Sequence, residues 1–243
     1  MDLGTVGWGC GGALALWLAA APVARARLPF AWEHPLGVAG GLGVAATSAL
    51  GLGWAPAERY MGDVGRILYV HVPAAWLSLA CFAVAGALGI GSLLTRRREV
   101  DAALAATCEV GVVLGALLVA LGAWFARPTW GVWWTWDPRL VSTLVLTLSN
   151  GGLLLLRALL LDPSHRATAT ATGAVIAAVN VPIVYFSVTW FASIHAEPTV
   201  RPGESPIDPH MGDVLLLSTV ALAALTVWFV ARRARLGLPA TAG

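Results

Sequence analysis

Apolar residues run through this chain in six long blocks, at 36–54, 67–94, 102–125, 140–161, 168–191 and 214–231, separated by short polar connections. Each block is close to or above the roughly 20 residues that cross the hydrocarbon core of a bilayer as a helix. Helix is the assignment for all six, because backbone N–H and C=O groups in lipid have to be satisfied within their own segment. A further apolar run at 6–23 lacks the basic residues that precede the hydrophobic stretch of a signal peptide. It reads as membrane-embedded, and the pattern leaves open whether it crosses. The expectation is an all-α integral membrane protein, a six-helix transmembrane bundle with an external loop at 127–139. One extra N-terminal membrane segment is added if residues 6–23 also cross. Residues 1–35 then form an apolar segment and linker, 36–235 the membrane domain and 236–243 a tail. No period of 20 to 50 residues points to a repeat array.

Composition supports the same class. Of 243 residues, 58% are hydrophobic and 12% charged, with a mean hydropathy of +0.77, against roughly a quarter charged in soluble domains. A net charge of +2 gives no footing for nucleic acid. Cys10, Cys81 and Cys108 lie in separate apolar segments with no CxxC or CxxCH spacing. They read as small buried side chains, and neither a disulfide framework nor a thiolate metal site is implied.

Charge sets the orientation. All fifteen basic residues are Arg. Ten of them (25, 27, 96, 97, 98, 157, 166, 232, 233 and 235) fall in one set of connections, and five (59, 66, 127, 139 and 201) in the other. The poorer set also carries Glu58, Asp63, Asp137, Glu197, Glu204, Asp208 and Asp213. The positive-inside rule puts the Arg-rich set in the cytoplasm.

On the outer side lies the densest aromatic stretch, WGVWWTWDPR, which places Trp130, Trp133, Trp134, Trp136 and Asp137 within eight residues. If the stretch is helical, Trp130, Trp133, Trp134 and Asp137 share one face. The plain reading is an interface belt, where indoles sit because the ring is apolar and its N–H wants a wet partner. The sharper reading is a flat binding platform. Asp137 followed by Pro138 also fits a helix N-cap with Pro at the first helical position. Its carboxylate is then expected to hold the loop rather than touch a ligand.

Two histidines fall on the same outer side, on different hairpins: His71 in ILYVHVPAAW and His195 in TWFASIHAEP. Singly, each reads as a solvated interface or loop residue. Together with a flat aromatic face they match what an iron porphyrin requires. Neutral imidazole is an axial ligand for haem iron, indoles cover the macrocycle, and guanidinium groups pair with propionates. His34, His165 and His210 are assigned no chemistry.

WGVWWTWDPRL resembles the tryptophan-rich "WWD" signature of haem-handling membrane proteins in cytochrome c biogenesis. RILYVHVPAAW, APAERY before it, and NVPIVYFSVTWFASIH followed by PTVR and SPIDP narrow the resemblance to the haem exporter protein C family, CcmC. The similarity covers most of the chain from residue 36 onward, and the N-terminal run 6–23 departs from the family pattern.

The resemblance implies a six-span protein of the bacterial inner membrane that binds haem b transiently at its periplasmic face. It passes haem to the chaperone CcmE, in company with CcmA, CcmB and CcmD. Carried over by position, the axial ligands are His71 and His195, and the platform is Trp130, Trp133, Trp134 and Trp136 with Asp137. Arg66, Arg139 and Arg201 are propionate or partner contacts by charge and side alone. No classical enzyme activity is implied, and with no P-loop in the chain any nucleotide energy has to come from a partner.

Three rivals stand beside it. One is a WWD-type cytochrome c synthase component, which the short chain argues against. Another is a transmembrane haem transporter, which would need ionisable or polar residues deep in the spans, where the sequence offers little beyond Asn150, Asn180 and Glu109. The last is a structural subunit whose indoles only anchor it.

Overall fold

Three Asp-Pro pairs, at 137–138, 162–163 and 208–209, each open a helix. In every case the Asp carboxylate accepts a hydrogen bond from a backbone N–H two or three residues on: Arg139 at 2.9 Å, His165 at 2.7 Å and His210 at 2.9 Å. The proline takes the first helical position, where no N–H is needed.

The computed structural model describes residues 30–195 and 208–238, so the run at 6–23 and Arg201 lie outside the described residues. Within them the helices are α1 (Phe30–Gly53), α2 (Leu68–Thr95), α3 (Arg98–Trp130), α4 (Pro138–Leu159), α5 (Pro163–Ala178), α6 (Asn180–Trp190) and α7 (Pro209–Leu236). A short 3-10 turn, Asp63–Ile67, leads into α2. Among the described residues, with α5 and α6 taken as one span, six helical segments are long and apolar enough to cross a membrane. The fold is all-helical, as the apolar blocks predict.

α2 and α3 form the centre of the bundle. α7 packs on both and carries α1 on its far side, while α4 and α5 close the opposite flank. One buried cluster joins Leu77, Cys81, Ala106, Leu114 and Val230 across α2, α3 and α7. A second joins Ala85, Leu104, Cys108, Leu153 and Ala174 across α2 to α5. Cys81 and Cys108 are free and buried. Small residues let the backbones close up, as in other membrane bundles. A side chain at Gly89 would meet the carbonyl of Ala171 at 2.6 Å, so α2 and α5 touch backbone to backbone there.

Several polar side chains of the helices have partners, some across helices and some within their own. Arg157 of α4 grips Asp101 of α3 with two hydrogen bonds of 2.8 and 2.7 Å and reaches Thr170 of α5 at 3.1 Å. Glu109 of α3 pairs with Arg233 of α7. Asn150 donates to Leu146 O in its own helix, and Asn180 donates to Ser142 O of α4 at 2.8 Å. The three polar residues that stand out within the spans thus all have partners.

The span expected as one helix over 168–191 is broken between α5 and α6 at Val179. Pro182 explains the break. It has no N–H to give to Ala178 O, and its ring crowds that same carbonyl four residues back. A second departure is at the aromatic stretch. α3 ends at Trp130, Gly131 takes a left-handed φ of 77°, and residues 131–137 form a loop. The shared helical face for Trp130, Trp133, Trp134 and Asp137 is therefore not formed. Glycine at this position terminates a helix, and Pro138 disfavours helical geometry at Asp137.

Candidate functional site

At the end of the bundle where α3 stops and α4 starts, the loop 131–137 and the segment 191–195 after α6 lie side by side. Asp137 fastens them. Its Oδ2 accepts from the Ser193 hydroxyl at 2.7 Å and the Ile194 amide at 2.9 Å, while Oδ1 caps α4 through the Arg139 amide. The carboxylate is 2% exposed, so it is a clamp between two loops and not part of an open aromatic surface. Burial by itself pushes this carboxyl up. The Ser193, Ile194 and Arg139 hydrogen bonds, with the His195 charge, outweigh that and hold it below its ordinary value.

His195 follows directly on this clamp. Its ring meets the indole of Trp130 edge-on, with 5.1 Å between centroids and 68° between planes. Nδ1 lies 3.3 Å from Asp137 Oδ1 but at an angle that makes no hydrogen bond, and it is buried. Burial holds this imidazole below its ordinary value. The Asp137 carboxylate pulls the other way and the Arg139 guanidinium adds to the depression, so the ring is neutral at pH 7.

His71 stands in the first turn of α2, packed toward α3: a side chain at Gly122 would come within 3.3 Å of its Cε1. It is close enough to His195 and Arg139 for their charges to act on it, and its Nδ1 is also buried without a hydrogen-bond partner. Arg139 extends from the first turn of α4 to the Tyr185 carbonyl of α6 at 3.3 Å. His71, His195, Trp130, Asp137 and Arg139 thus come together from four separate stretches of chain.

The other expected residues sit differently. Trp133 and Trp136 are 58% and 82% exposed, and Trp134 packs edge-on to Trp136 at 6.2 Å. Trp136 borders a cleft of about 440 Å³ that also touches Thr135, Pro138, Ala192 and Ile194. Arg66 is engaged elsewhere: its guanidinium holds the Gly51 and Ala55 carbonyls at the end of α1, at 2.6 and 2.8 Å, and Asp63 at 2.8 Å. His210 packs edge-on to Trp54 at 4.9 Å, apart from the site.

Ser193 and Gly122 are the residues that sequence reasoning passes over. Ser193 carries a faint signal, standing two residues before a histidine in a loop. Gly122 carries none, because its part is to leave room for a ring from another helix.

The fit to haem rests on the donor set. Among the described residues, no group of three or more His, Cys, Asp or Glu could hold a bare metal ion. Two imidazoles suit a metal whose other four positions are already filled, as they are in a porphyrin. The two imidazoles, the exposed indoles and the adjacent guanidinium are compatible with an apolar disc carrying carboxylates at its edge.

Six apolar spans with two histidines and a tryptophan-rich loop at one end describe a multi-pass membrane protein. Comparison with known proteins makes the assignment specific. Residues 15–240 match Heme exporter protein C, CcmC, and the chain belongs to that family. It is 36% identical over 174 residues to the Heme exporter protein C of Bradyrhizobium diazoefficiens, an alignment covering 71% of this chain and 66% of that one. Against the Escherichia coli K12 protein of the same name it is 32% identical over 185 residues, covering 76% and 75%. Against that of Haemophilus influenzae it is 30% identical over 189 residues, covering 77% of each. The family places the chain in haem export for cytochrome c biogenesis.

Proposed function

We propose that this protein captures haem b between His71 and His195 at the periplasmic face of the inner membrane and loads it onto the haem chaperone CcmE, acting with CcmA, CcmB and CcmD. The convergence of the two imidazoles beside Trp130 and Arg139 carries this reading. The two rings meet α3 at different levels, His71 beside Gly122 and His195 against Trp130.

The chain's own residues divide the work. His71 and His195 would hold the haem iron through one imidazole nitrogen each. Burial against Trp130, Trp133, Trp134 and Trp136 contributes roughly 25 cal/mol per Å² of apolar surface removed from water. Arg139 is placed to pair with a propionate, and Arg201 is proposed for the same role. Arg66 keeps only part of its guanidinium for such a contact, given its hold on α1. The pairing of Glu109, Asn150 and Asn180 inside the bundle favours presentation at the surface over passage through it.

The test is the absorption spectrum of the purified protein, oxidised and reduced, beside His71→Ala and His195→Ala, with transfer to the chaperone measured in parallel. Both substitutions are expected to change the spectrum and reduce loading. Wild-type spectra and loading in both variants remove them as ligands.

A further inference from the structure

One atom of the His195 ring has no role in the ligand assignment. Nδ1 is buried and makes no hydrogen bond among the described residues, yet Asp137 Oδ1 is 3.3 Å away. That oxygen is held in place: it receives the Arg139 amide at 2.9 Å while its partner Oδ2 receives Ser193 and Ile194. A carboxylate oxygen accepts two hydrogen bonds, so Oδ1 has one position left, within reach of Nδ1. The Trp130 indole packs T-shaped against the imidazole, and a small rotation of that ring would bring Nδ1–H into line with Oδ1. Hydrogen bonds of this sort are often long before a ligand arrives and tighten afterwards.

We propose that Asp137 is a positioning residue for His195: its carboxylate accepts a hydrogen bond from Nδ1–H and fixes the tautomer in which Nε2 keeps its lone pair for iron. The proposal rests on His195 being an axial ligand. A neutral imidazole carries one proton, and whichever nitrogen holds it cannot coordinate. A carboxylate behind the ring settles that choice and makes the ligand more basic, as in other histidine–metal sites. Because the same carboxylate caps α4 and ties down Ser193 and Ile194, it also fixes His195 relative to the aromatic loop.

The experiment uses haem-loaded full-length protein carrying Asp137→Asn, His195→Ala, or both, with absorption spectra, haem affinity and midpoint potential read for each. Asparagine matches the shape but presents an N–H where an acceptor is needed. Asp137→Asn is expected to lower haem affinity about 10–100-fold and to move the potential upward, since a less basic ligand stabilises ferric iron less. In the His195→Ala background it is expected to change neither.

An Asp137→Asn protein with wild-type potential and spectrum overturns the proposal, as does a shift that persists without His195. If His195→Ala itself leaves the spectrum unchanged, the ligand assignment fails and the proposal falls with it. Should Asp137→Asn not accumulate in the membrane, histidine-15N resonances of the reduced wild-type protein decide. The resonance absent from His195→Ala is expected to show a proton on Nδ1, and an unprotonated Nδ1 overturns the proposal.

Discussion

Trp130 holds the imidazole of His195 edge to face, with 5.1 Å between ring centroids. Such aromatic pairs contribute about 0.5–1.5 kcal/mol beyond the area they bury. Trp130→Ala is therefore expected to weaken haem retention about 2–10-fold, and Trp130→Phe to keep most of it. The haem-to-protein ratio after purification, at matched membrane levels, checks this. Equal retention in the alanine variant would show that the indole does not brace the ligand.

Trp133 is exposed and Trp134 packs on Trp136 within the loop, so neither belongs to the buried core of the bundle. Trp133→Ala combined with Trp134→Ala is expected to cut haem occupancy while leaving the amount of inserted protein unchanged. A fall in membrane level that matched the fall in haem would favour the anchoring role instead.

Acid is expected to loosen the site before it unfolds the bundle. His195 is held below its ordinary value of 6.5, so it contributes stability that is full above pH 6.5 and is lost as pH falls toward its folded value. Asp137 is depressed from 3.8 and contributes in the same sense at lower pH, full above 3.8 and lost below. Among the described residues, Arg139 and His71 are the other charged or titratable groups facing the cluster. Thermal unfolding of the haem-free protein in detergent should show a midpoint that declines below pH 6.5, and His195→Ala should flatten that decline. An unchanged slope in the variant assigns the decline to other groups.

At the other end of the bundle, Arg157 and Asp101 are mostly buried, with 17% and 20% of their side chains exposed. Removing one member of such a pair leaves an uncompensated charge. Asp101→Ala is expected to destabilise by about 3 kcal/mol, while replacing both residues with leucine should restore most of that. Detergent melting curves of the single and double variants measure the difference. A double variant no better than the single would mean that the contact of Arg157 with Thr170 matters more than the ion pair.

The sequence made the six spans legible because length and hydropathy are all that a membrane helix needs to reveal. The Asp137–Pro138 helix start was equally readable, since both residues act on their own local backbone. The α5–α6 break was signalled by Pro182 but hidden inside an unbroken apolar run. The aromatic stretch misled for a related reason: its i, i+3, i+4, i+7 spacing is real, but Gly131 and Pro138 end the helices on either side of it.

Within the candidate site, His71, His195 and Trp130 could be picked out by type and side. The clamp on Asp137 could not, because it depends on which hydroxyl and which backbone amide arrive 56 and 57 residues later. Arg66 shows the limit of reasoning by charge and side: it lies on the expected surface, yet much of its guanidinium is taken by the end of α1.

The discontinuity at Val179 gives the fifth span a lever arm. α6 has 11 residues, about 16 Å of rigid rod, and His195 lies just beyond its outer tip. A tilt of roughly ten degrees about the discontinuity would sweep that tip by about 3 Å, more than the length of an iron–nitrogen bond. On the proposed ligation, a push on the fifth span near Val179 would shift His195 relative to His71.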